Sequence, residues 1–242
     1  MGQYSIVLFD VGDTLLGPQD SYGTVYSRVL ATLGLELDAG LLDRCIRKTS
    51  VEMAGEVSSG TDRFSRFAGG ETEYWSRFFR KVYRNATGHS AEPGFVGRAL
   101  DLLWEAFGQP TAWHVYDDVV PTLEQLRRDG ARLGVVSNWD SRLPRLLEIL
   151  DLAKYFETIG VSYHEKMEKP DPNFFLRVLD RLDGRPREAL HVGDSPELDF
   201  AGARAAGIDA VVLDRAGRLG AQDPPVLSSL RFLFSIVTPK SA

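Results

Sequence analysis

A carboxylate closes an apolar run near the start of the chain: Ile6-Val7-Leu8-Phe9-Asp10, followed by Val11-Gly12-Asp13-Thr14-Leu15. A strand that ends on Asp10 and turns through Gly12 toward the hydroxyl of Thr14 is close to the layout of a covalent carboxylate nucleophile. Other polar groups fall at comparable places. Ser137-Asn138 ends the run Arg132–Ser137, Gly193-Asp194 follows Ala189–Val192, and Asp199 comes soon after Asp194. Lys169 stands in Lys169-Pro170-Asp171-Pro172, where a loop enters a helix. Ligands of open α/β sheets bind beyond the carboxyl ends of the strands. The sequence therefore predicts two carboxylates, a hydroxyl and an ammonium at one sheet edge, with Asp199 nearby.

That convergence needs strands to deliver the groups. Ser5–Phe9, Arg132–Ser137, Ala189–Val192 and Ala210–Leu213 are short apolar runs, three of them rich in valine. They read as buried parallel strands, and Thr158–Ser162 is a weaker fifth. Helical patterns lie between them at Val120–Asp129, Leu143–Leu150, Pro172–Leu182 and Leu198–Ala206. Gly130 and Gly207 suit helix ends, while Asp171 and Pro172 suit a helix start. Alternation of strand and helix from about Val119 predicts an α/β fold with a doubly wound parallel sheet. The first strand is separated from the rest by about a hundred residues with helical periodicity. Residues 17–114 are thus expected to form a helical insertion after strand one, and 1–16 with 115–242 the core. Within the insertion, Ser58–Gly70 is the least regular stretch and is expected to be a loop.

The totals narrow the function classes. The 242 residues are 43% apolar and 26% charged, with a net charge of −6. These values fit a globular protein and argue against nucleic-acid binding through a general basic surface. A single cysteine, Cys45, excludes an internal disulfide framework and fits a reducing cytoplasm. The helical pattern around it predicts a packed core thiol. No run approaches the roughly 20 apolar residues needed to span a bilayer, and the N-terminus lacks a secretory pattern. The expected setting is cytoplasmic, without a membrane partner; the oligomeric state is not readable.

Four segments in order carry a resemblance to the haloacid dehalogenase-like (HAD) hydrolase superfamily. Asp10-Val11-Gly12-Asp13-Thr14-Leu15 resembles its first motif and Val136-Ser137-Asn138 its second. Glu168-Lys169-Pro170-Asp171-Pro172 resembles the third, and His191-Val192-Gly193-Asp194 through Ala203 the fourth. The resemblance implies a Rossmann-like core with a C1 cap as the insertion, and phosphatase activity on a small phosphorylated metabolite. It implies that Asp10 attacks phosphorus, that Lys169 supplies positive charge, and that Thr14, Ser137 and the Asn138 backbone N–H contact the phosphoryl group. It also implies Mg²⁺ held by Asp10, the Gly12 carbonyl and Asp194, with Asp199 orienting Lys169 or a metal-bound water.

The first motif departs from the family pattern. Family phosphatases usually carry a second aspartate two residues after the nucleophile, as acid and base. Gly12 occupies that position, and Asp13 lies one residue later. Neighbouring side chains near a strand end face roughly opposite ways, so Asp13 is not a simple replacement. The pattern, with Ser137-Asn138-Trp139-Asp140, resembles the rhythmically-expressed-gene-2-like branch of the superfamily. Two alternatives stay open: a phosphate-binding or interaction module with impaired turnover, and a metal-free 2-haloacid dehalogenase, which Gly193-Asp194-Ser195 disfavours.

Overall fold

The computed structural model describes residues 4–55, 61–219 and 225–237. The chain divides into two compact units, Met1–Gly17 with Val115–Ala242, and Pro18–His114. The strands are β1 (Ile6–Phe9), β2 (Leu16–Pro18), β3 (Trp113–Val115), β4 (Arg132–Ser137), β5 (Thr158–Val161), β6 (Ala189–Gly193), β7 (Asp209–Leu213) and β8 (Val226–Leu227). Six of them form one sheet in the order β5-β4-β1-β6-β7-β8, and its strand pairs are parallel. The expected doubly wound α/β core is present. β2 and β3 pair as a separate ribbon where the chain leaves and re-enters the core.

Parallel sheets bury both faces, which is why β1 reads as a continuous apolar run. Ile6 and Leu8 pack on one face with Phe174, Phe175, Val178 and Ala203. Val7 and Phe9 point to the opposite face by the strand's pleat and are equally buried. β1 lies at the centre, in register with β4 (Phe9 opposite Val135) and β6 (Phe9 opposite Val192). Asp10 extends that ladder by donating its N–H to the Val192 carbonyl at 2.9 Å.

Among its described residues the inserted unit carries four α-helices: α1 (Tyr22–Thr32), α2 (Ala39–Ala54), α3 (Gly70–Thr87) and α4 (Pro93–Gly108). Asp38 caps α2 by accepting the Leu41 N–H at 2.8 Å. The apolar stripes that predicted these helices face inward, with Leu42, Cys45, Phe78, Phe79 and Val96 all buried. Cys45 is a free, packed thiol. Ser58–Gly60 of the expected loop lie outside the described residues; 61–69 form turns and bends, and Gly70 already begins α3.

In the core, α5 (Val119–Arg128), α6 (Leu143–Ile149), a one-turn α7 (Ser162–Glu165) and α8 (Pro172–Asp180) follow β3, β4 and β5. Pro172 begins α8, and the Asp171 carboxylate caps it by accepting the Asn173 N–H at 2.9 Å. The helix expected at Leu198–Ala206 opens differently. It begins as a π-helical turn, Pro196–Phe200, and only then continues as α9 (Ala201–Ala205). Ser195 drives this opening, because its hydroxyl caps Leu198 while its carbonyl accepts both Asp199 and Phe200 N–H groups. Among the described residues no helix is long and apolar enough to cross a membrane.

Candidate active site

Four of the residues singled out above converge at the carboxyl edge of β1 and β6. The Lys169 ammonium donates to Asp10 Oδ1 at 2.6 Å and to Asp199 Oδ1 at 2.6 Å. Asp10, Asp194 and Asp199 each offer an oxygen, and these atoms lie within 4.8 Å of one another. Lys169 is 3% exposed and Asp199 1%. At such burial, electrostatics are strong and unpaired charge is costly.

The motif-two asparagine fixes the lysine. Asn138 Oδ1 accepts the Lys169 backbone N–H at 2.7 Å, and Asn138 Nδ2 donates to the Lys169 carbonyl at 2.9 Å. This reciprocal clamp joins the end of β4 to the loop before α8. It is a use of the Asn138 side chain that the sequence did not disclose. The Ser137 hydroxyl is buried beside it.

Asp199 accepts from three donors. Its Oδ1 takes Lys169 and also His191 Nε2 at 2.8 Å, and its Oδ2 accepts the Ser195 N–H at 3.1 Å. Gly193 makes room for it, since a Cβ there would lie 2.1 Å from Asp199 Cγ. Asp199 thus ties Lys169, His191 and the Ser195 backbone together.

The charges state what the site lacks. Three carboxylates face one ammonium, so full ionisation leaves two negative charges uncompensated. Burial pushes Asp10 up, Lys169 pulls it back, and Asp199 adds to the rise. Asp194 is pushed up to about 8, by burial first and then by repulsion from Asp10 and Asp199. Burial also opposes the charge on Asp199, but Lys169 and His191 hold it well below the usual carboxylate range. Lys169 is raised: burial works against the ammonium, and the two carboxylates outweigh it. A divalent cation with oxygen ligands fits both the donor set and the missing charge.

The first-motif turn has its own supports. Asp13 adopts the left-handed conformation at φ 53°, which aspartate tolerates, and its side chain is exposed. It is not one of the three clustered carboxylates. A Cβ at Gly12 would sit in ordinary contact with the Trp139 ring, 3.6 Å from Cζ3. The Thr14 hydroxyl is fully buried and has no hydrogen-bond partner among the described residues. The Thr14 carbonyl instead accepts Arg215 Nη2 at 2.8 Å.

A family model described as haloacid dehalogenase-like hydrolase matches residues 4–207. The chain belongs to the haloacid dehalogenase-like hydrolases. Among these hydrolases, it is 30% identical over 210 residues to "Haloacid dehalogenase-like hydrolase domain-containing protein 3" of Danio rerio, covering 86% of this chain and 84% of that one. It is 28% identical over 220 residues to "Rhythmically expressed gene 2 protein" of Drosophila melanogaster, covering 86% and 82%. The solved HAD phosphatase of Thermococcus onnurineus superposes with a TM-score of 0.65 at 26% identity, covering 96% of this chain and 97% of that one. The branch resemblance read from Gly12 and Ser137-Asn138-Trp139-Asp140 agrees with the first two relatives.

Proposed function

We propose that this hydrolase is a Mg²⁺-dependent phosphatase acting on a small phosphorylated metabolite through an aspartyl phosphate on Asp10. The observation that carries this reading is the buried 2.6 Å pair of Asp10 and Lys169 in a site with surplus negative charge. Similarity to the Thermococcus onnurineus HAD phosphatase supports the same reaction class.

Asp10 Oδ attacks phosphorus; the bond to phosphorus forms as the bond to the leaving oxygen breaks. Lys169 keeps a fixed positive charge beside the nucleophile and needs no reorganisation as charge moves onto the phosphoryl oxygens. Ser137, the Asn138 backbone N–H and Thr14 hydrogen-bond those oxygens. Water then attacks phosphorus, releasing phosphate and restoring the Asp10 carboxylate. Asp10, the Gly12 carbonyl and Asp194 would hold the Mg²⁺, which supplies charge neutralisation when bound. Asp199 holds Lys169 in place. The insertion, 17–114, acts as the cap that selects substrate, and a reducing cytoplasm suits the free Cys45.

Gly12 favours a second reading, a phosphate-binding module with little turnover, because it provides no side chain to protonate a leaving group. One assay separates the readings. With p-nitrophenyl phosphate, the phosphatase releases p-nitrophenol with Mg²⁺, not with EDTA, and not as Asp10→Asn. Retained Mg²⁺ and phosphate binding without turnover supports the module. Halide release from a 2-haloacid in EDTA supports the dehalogenase.

A further inference from the structure

Among the buried ionisable side chains that the proposed chemistry leaves without a role, His191 is bonded to a residue of the site. His191 lies within β6, opposite Leu8 of the nucleophile's strand, and is 0% exposed. Its Nε2 lies 2.8 Å from Asp199 Oδ1. Its ring meets Phe175 edge-on, with centroids 5.0 Å apart at 88°, which sets the plane of the imidazole. Nδ1 is buried and has no hydrogen-bond partner among the described residues.

These facts fix the direction of the bond. An ionised carboxylate only accepts, so Nε2 must carry the proton. An unpaired Nδ1 in the core is a cost that an apolar side chain of similar size would avoid. A residue kept only for packing has no reason to bear it. The compensating contact is the one at Nε2, and it lands on the same oxygen that receives Lys169.

We propose that His191 is a positioning residue: its Nε2–H holds Asp199 so that Asp199 in turn keeps the Lys169 ammonium against Asp10. Asp199 Oδ1 then divides its lone pairs between two donors, and Lys169 stays balanced between two carboxylates at equal 2.6 Å distances. Without the imidazole donor, Asp199 has only the lysine to satisfy Oδ1 and draws it away from the nucleophile. The effect falls on the chemical step. Ser137 and the Asn138 backbone N–H, which the substrate meets, are untouched. The inference rests on the reading of Asp10 as nucleophile.

Three variants test it. Glutamine can place an amide N–H near the position of Nε2, asparagine only near that of Nδ1, and leucine offers no donor. His191→Leu and His191→Asn should lower kcat for p-nitrophenyl phosphate about 10–100-fold, the range seen when the outer partner of a metal ligand is removed, taken by analogy for the outer partner of Asp199. KM should stay within about twofold, and His191→Gln should recover most of the loss. A His191→Leu enzyme with unchanged kcat, or a His191→Gln enzyme as impaired as His191→Leu, overturns the proposal. Should the variants fail to fold, ¹⁵N NMR of the histidines in the intact wild-type protein decides. The proposal requires a proton on Nε2 of His191 at the assay pH; a deprotonated Nε2 overturns it. The NMR result stands even if the wild-type protein hydrolyses no phosphate ester, so failure of the functional reading is read separately.

Discussion

Gly12 offers no side chain to meet a departing alkoxide, and a Cβ there would lie 3.6 Å from Trp139 Cζ3, an ordinary contact. General acid catalysis is commonly worth about 10²–10⁴ in rate. Phosphate esters with poor leaving groups should therefore react slower than aryl phosphates by about that factor. Gly12→Asp should raise kcat on an alkyl phosphate about tenfold or more while leaving p-nitrophenyl phosphate nearly unchanged. Equal effects on both substrates would show that leaving-group protonation is not what position 12 lacks. Asp13 is exposed and outside the carboxylate cluster, so Asp13→Asn should cost less turnover than Asp10→Asn. Equal losses at saturating Mg²⁺ would give Asp13 a direct part. The sequence disclosed Asp10, Lys169, Asp194 and Asp199 because motif order and strand ends mark them. It did not disclose the Asn138 clamp on Lys169 or the His191 bond to Asp199, which exist only once distant segments meet.

Between elements, one buried cluster ties the motif-one turn to the start of α5 and to the segment after β8. Arg215 bonds the Thr14 carbonyl and both oxygens of Asp118, at 2.8 and 3.0 Å, with its guanidinium 3.9 Å from the Tyr116 ring centre. Asp118 Oδ2 also accepts the Ser229 hydroxyl at 2.6 Å and the Leu230 N–H at 2.9 Å. Burial alone would raise the Asp118 carboxyl, but the bonds from Arg215, Ser229 and Leu230 outweigh it and hold it below its ordinary value of 3.8. A depressed carboxylate adds stability that is complete above the unfolded value and is lost as pH falls through the folded one. Thermal melts of wild type should therefore lose this contribution below about pH 4, and Arg215→Met should be less stable at neutral pH with a shallower acid limb. Parallel acid limbs would rule out this cluster as a source of the dependence. None of this was legible in the sequence. β2, β3 and β8 have three, three and two residues, too few to show any alternation. The longer valine-rich strands and the capped helices were legible because both faces of the sheet are covered and the caps are local.

Across the molecule, the acidic balance of −6 and the two uncompensated charges at the site act in the same direction. The clustered carboxylates repel one another, and a divalent cation bound among them would remove that repulsion. Mg²⁺ at about a hundred times its dissociation constant should stabilise the core by about 2.7 kcal/mol. For a unit of this size that raises Tm by roughly 5–10 °C, reversibly with EDTA, and Asp194→Asn should abolish most of the rise. A Tm insensitive to Mg²⁺ would separate the acidic cluster from metal binding. The long helical stretch between the first strand and the rest was visible as periodicity, whereas substrate choice depends on pocket shape, which no motif encodes. In the proposed reaction Asp10 becomes covalently phosphorylated. Acid-quenching the enzyme during turnover of a phosphate ester with Mg²⁺, then mapping its peptides by mass spectrometry, tests it most directly. A phosphoryl group should be found on the peptide bearing Asp10 and be missing from Asp10→Asn; steady turnover with that peptide unmodified, or with the phosphoryl group on another residue, would rule out Asp10 as the nucleophile.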